Sequence, residues 1–105
     1  MMPRVAKQIS AEHDSAKEWL VRRMNEFIPD LKVLKVEIEE KEDSDGQPSL
    51  FVHVLLARHM KPAEIAARMS LRADFRMWLL LQGDDRFPYF EFVTKSDLRE
   101  RNQSN

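Results

Sequence analysis

The chain has 105 residues and no cysteine, which rules out a disulfide framework and any cysteine-ligated zinc site. With 43 % hydrophobic and 33 % charged residues, it has the composition of one ordinary globular domain with a modest core. A net charge of −1 excludes a general attraction to nucleic acid or to an anionic membrane, so any such role must rest on a local patch.

Residues 1–9 carry no pattern and read as a loose arm. The opening MMPRVAKQIS has no apolar signal core, and no run approaches the roughly 18 apolar residues of a membrane span, so a cytoplasmic protein without membrane contact is expected. Ser10 or Asp14 can cap a first helix, in which Ala16, Trp19, Leu20, Met24, Phe27 and Ile28 recur at threes and fours. Pro29-Asp30 ends it.

Leu34, Val36 and Ile38 then alternate with Lys35, Glu37 and Glu39, the pattern of a strand with one wet face. The charged loop EEKEDSDGQP turns near Asp45-Gly46. In the next strand, Ser49 to Ala57, Leu50, Val52, Val54 and Leu56 face one way and Phe51, His53 and Leu55 the other. Apolarity on both faces predicts a central or doubly covered strand.

A long helix over 61–82 follows, with Pro62 in its first turn and Gly83 placed to close it. Its wheel is apolar in two directions. Ala66, Met69, Ala73, Met77 and Leu80 form one arc, expected to face the core; Ala67, Leu71, Phe75 and Trp78 form a second, roughly opposite. Arg68, Arg72 and Arg76 make a third row at i, i+4, i+8. Phe87 to Val93 is a last strand that Pro88 assigns to an edge; if it runs parallel to the second strand, it returns by a right-handed crossover. Thr94 to Asp97 can start a short terminal helix, and 99–105 reads as a frayed tail.

The order α-β-β-α-β predicts an α+β two-layer sandwich over 10–98, a three-stranded sheet with two helices on one face. Trp19, Phe27, Phe90, Phe92, Leu80 and Met77 are the expected core, which leaves Phe51, Leu55 and Tyr89 on the opposite sheet face.

Reaction chemistry is sparse. Asp43, Asp45 and Gly46 match part of a calcium loop, but position 1 of that frame is Lys41 and position 12 is Val52, so a solvated hairpin loop is the better reading. Asp30 with Glu39 and Lys41 has the letters of a nuclease metal motif, yet one extended strand holds the two acids about 30 Å apart. His13, His53 and His59 lie in unrelated settings, and His53 has no polar orienter nearby in sequence. Two glycines, both used in turns, leave no phosphate-cradling loop. No catalytic residue, metal or cofactor is assigned.

Two surfaces remain. The arc Leu71, Phe75 and Trp78 either packs under the first helix, through Trp19 and Met24, or forms an interface centre; Phe51, Leu55 and Tyr89 offer a second apolar patch. Arg68, Arg72 and Arg76, with Arg58 and Lys61 near the helix start, either lie as a solvated edge, with Glu64 neutralising Arg68, or meet an acidic protein or a nucleic acid. The expectation is a non-catalytic protein-interaction module, a homodimer or the small partner of a larger protein. Its alternative is a nucleic-acid-binding domain using the arginine edge.

Overall fold

The computed structural model of the chain describes residues 9–103, with side chains described for 14–101. The arm expected over 1–9 therefore falls outside the described residues except for Ile9, as do the side chains of Ser10 and His13. Helix α1 (Ile9–Phe27) precedes a hairpin of β1 (Val33–Glu42) and β2 (Pro48–Leu56). A single 3-10 turn, Pro62–Glu64, leads into α2 (Ile65–Leu81); β3 (Phe87–Thr94) and α3 (Lys95–Gln103) complete the fold. α3 thus continues into the stretch expected to fray.

The sheet order is β1-β2-β3, with β2 central, antiparallel to β1 and parallel to β3. Alternation along β2 puts Leu50, Val52, Val54 and Leu56 against the two long helices, all at most 2 % exposed. They meet Ala16, Leu20 and Met24 of α1, Ile28 just beyond its end, and Leu71, Phe75 and Leu79 of α2. Each fully buried Leu or Phe contributes about 1.5–3 kcal/mol, so this single layer carries most of the fold's stability.

Three expectations about the core are overturned. The arc of α2 that faces the sheet is Leu71, Phe75 and Leu79, whereas Met69, Met77 and Leu80 are 62, 56 and 42 % exposed. Both arcs are apolar, but the buried one has bulkier side chains at i, i+4, i+8, and seating it also brings Trp78 onto Trp19 and Asp74 onto Arg23 of α1. Phe27 lies at the rim, 36 % exposed, beneath the Arg23 guanidinium. Leu34 is exposed because a bulge between Val33 and Lys35 breaks the alternation that would have turned it inward.

The end of α2 is a Schellman motif: Gly83 takes φ 86°, its N–H donates to the Leu80 carbonyl, and that of Asp84 donates to the Leu79 carbonyl. Immediately beyond, the buried Arg86 guanidinium grips both carboxylate oxygens of Asp84 at 2.9 and 2.6 Å and approaches Glu40 of β1. This pair fixes the turn that launches β3. At the other end of β3, the Thr94 hydroxyl accepts the N–H of Asp97 while the Asp97 carboxylate accepts that of Thr94, a reciprocal cap that starts α3.

Candidate functional site

The predicted interface residues do not share one surface. Leu71 and Phe75 are 1 and 0 % exposed and belong to the core, and Trp78 is half-buried in a stack with Trp19 and Phe75, at ring separations of 6.0 and 5.9 Å. Helix α1 thus covers the arc that was a candidate partner surface, through Trp19 as one of the two sequence alternatives had it. The outward side of α2 instead exposes Met69, Met77, Leu80 and Leu81.

On the outer sheet face, Phe51 and Tyr89 stack at 5.1 Å, because β2 and β3 pair them directly across the ladder. Phe87 adds a third ring, 4.9 Å from Tyr89. Lys41 Nζ sits 4.6 Å from the Phe51 ring, and the Arg76 guanidinium 4.7 Å from that of Phe87. A strip of cation, three rings and cation therefore crosses one end of the sheet. Leu55 lies apart from it, half-buried beside Leu98 of α3.

Between these ends stands His53, with Nδ1 3.0 Å from Glu91 and Nε2 3.2 Å from Glu39. An orienting partner does exist, although none lies nearby in sequence. It comes from the neighbouring strand, where Glu91 is the ladder partner of His53, and only the strand register reveals it. Hydrogen bonds from His53, and then from Arg101, hold the Glu91 carboxyl below its ordinary range. With both ring nitrogens engaged by carboxylates, the ring ties the three strands together, since Glu39 is on β1 and Glu91 on β3. His59 binds Asp97, whose carboxyl is kept low first by the Thr94 N–H and then by His59.

The acidic loop is also internally used. Asp43 accepts the N–H groups of Asp45 and Gln47 on one oxygen and the hydroxyls of Ser49 and Tyr89 on the other. The Gln47 contact contributes most to holding its carboxyl low, and Asp43 in turn raises the Tyr89 phenol. Asp30, at the entry to β1, binds Arg58, whereas Glu39, towards the strand's far end, binds His53, so the two acids serve different partners. No group of three or more side chains able to hold a metal occurs among the described residues.

The arginine row lies along the free margin of β3. Arg68 sits 5.5 Å from the centre of the Phe92 ring and Arg76 over Phe87, so α2 runs antiparallel to β3, and Arg72, exposed, lies between them. Glu64 does not neutralise Arg68. It is held instead by both terminal nitrogens of Arg58, each at 3.0 Å, and by the Lys61 N–H, which together lower its carboxyl to about 2. That clamp also removes Arg58 from the basic surface and pushes its guanidinium still further towards the charged form. Among the described residues, no carboxylate pairs with Arg68, Arg72 or Arg76, and the buried Nε atoms of Arg68 and Arg76 donate to nothing.

The backbone of β3 is open on the same side, since no described strand pairs beyond it. The Thr94 N–H points away from β2 to its Asp97 cap. Alternate residues of a strand direct their N–H the same way, so those of Phe92 and Phe90 also point outward, and Pro88, next in that series, has none to offer. The margin therefore presents unpaired backbone groups beside three cations. Comparison with protein-family models, with curated proteins and with solved structures returns no match for the chain. No helix among the described residues is long and apolar enough to cross a membrane.

Proposed function

We propose that this protein is a non-catalytic interaction module of the cytoplasm that binds a partner polypeptide along the free edge of β3. The observation that carries this reading is the coincidence, on one margin, of a strand edge that no described strand pairs, partly exposed aromatic rings and three arginines without acid partners among the described residues. Main-chain pairing would supply affinity and the side chains on either side would supply selectivity. Phe87 and Tyr89, 44 and 38 % exposed, extend the surface onto the outer sheet face towards Phe51. The alternative, a nucleic-acid binder using Arg68, Arg72 and Arg76, draws on the same unpaired cations.

Selection of binders from a displayed library of random peptides, followed by amide exchange on the complex, tests the reading. Enriched peptides should slow exchange at Phe90 and Phe92. Enriched peptides that leave β3 untouched and shift the methyls of Met69 and Met77 would move the interface to the outer side of α2. An oligonucleotide that binds with a steep salt dependence, where no peptide is enriched, would favour the alternative.

A further inference from the structure

We infer that the segment seated on β3 is an extended acidic peptide with carboxylates at alternate residues, a statement that rests on the edge-binding reading above. The argument is a match of two repeats. Arg68, Arg72 and Arg76 are four residues apart on α2, which spaces them by about 6 Å each and about 12 Å overall. In a strand, side chains on one face recur every second residue, at about 6.6 Å, so three of them span about 13 Å. A strand added to the outer edge of β3 would lie beside α2 and turn alternate side chains towards it. Glutamate or aspartate at i, i+2 and i+4 would then each meet one guanidinium.

The local chemistry prefers such a ligand. The three guanidiniums are unopposed by acids among the described residues, and two of them already lie on aromatic rings, at 4.7 and 5.5 Å, so little side-chain freedom remains to be lost on binding. Phe90 and Phe92 offer outward N–H and C=O groups that a peptide backbone can pair in register and a sugar-phosphate backbone cannot. Pro88, lacking an N–H, sets the end at which pairing stops.

The test uses the full chain and short fluorescent peptides: one alternating Glu with Val, one with Gln in place of each Glu, one with the same Glu residues in a block, and an N-methylated form of the first that cannot pair its backbone. The alternating Glu peptide should bind at least about tenfold tighter than the Gln and block peptides, and Arg72→Glu, at an exposed position, should abolish that advantage. Equal binding of the Gln peptide would overturn the acidic-ligand inference and leave edge binding standing. Undiminished binding of the N-methylated peptide would instead overturn edge binding. Tighter binding of a single-stranded oligonucleotide than of any peptide, or a doubling of solution mass that excludes the peptides, would overturn the inference in favour of nucleic acid or of a second copy.

Discussion

Arg58 clamps Glu64 through both carboxylate oxygens, and this one pair decides how the start of α2 is charged. The Glu64 carboxyl falls from its ordinary 4.5 to about 2, chiefly through Arg58 and then the Lys61 N–H. A carboxyl depressed on folding contributes stability that is fully present above its unfolded value and is lost as pH falls through the folded one. Stability should therefore decline between about pH 4.5 and 2, and the lowered carboxyls of Asp43, Glu91 and Asp97 act in the same direction. Glu64→Gln should be less stable than the natural chain at neutral pH, with a gap that closes on acidification. Urea unfolding followed by tryptophan fluorescence across this range measures it; a gap that stays constant with pH would refute the assignment.

The orientation of α2 gives a pair of substitutions with opposite outcomes. Phe75→Ala removes a ring that is 0 % exposed and should cost about 3–5 kcal/mol. Met77→Ala, at 56 % exposure, should change stability by no more than about 0.5 kcal/mol. Denaturant midpoints of the two variants check this, and a reversed order would mean that the helix is turned about its axis.

Asp84→Ala removes the closest partner of the buried Arg86 guanidinium and leaves Glu40 at 3.6 Å as a weaker one; removing one partner of a buried pair costs up to about 3–5 kcal/mol. Replacing both, as Asp84→Ala with Arg86→Met, should recover a large part of the loss, because the under-compensated buried charge is removed as well. Equilibrium unfolding of the single and double variants resolves the two effects.

Thr94→Ala removes one half of the reciprocal cap of α3 and should lower stability by about 1 kcal/mol. Because α3 follows directly from β3, the far-ultraviolet helical signal should fall in the native baseline as well. An unchanged baseline would show that the Asp97 carboxylate alone sustains the helix.

Much of the architecture was legible because local chemistry and the global fold agree. Pro88 marked the edge strand, Gly83 the end of α2, and the two-sided apolarity of β2 its central place. The facing of α2 was not, since Ala66-Met69-Ala73-Met77 and Leu71-Phe75-Leu79 are both apolar, and only the bulk of the second set and its contacts with α1 break the tie. The partners of Arg58, His53 and Asp43 were equally hidden. The bonds that come from β3 depend on strand register, as Glu91 reaches His53 and Tyr89 reaches Asp43. The arginine row was visible as a row. Its freedom from Glu64 was not, because the competitor, Arg58, lies six residues back in a loop.

The hub at Asp43 ties the tip of the hairpin to the strand on the far side of the sheet, since the Tyr89 hydroxyl shares an oxygen with Ser49. A hairpin tip held only by its own turn could fray without consequence; here, opening the turn also breaks a contact of β3. Residues 43–47 and the first half of β3 should therefore open and close as one cooperative unit, with matched exchange rates. Whatever grips the margin of β3 would be felt as quiescence in the loop that joins the other two strands.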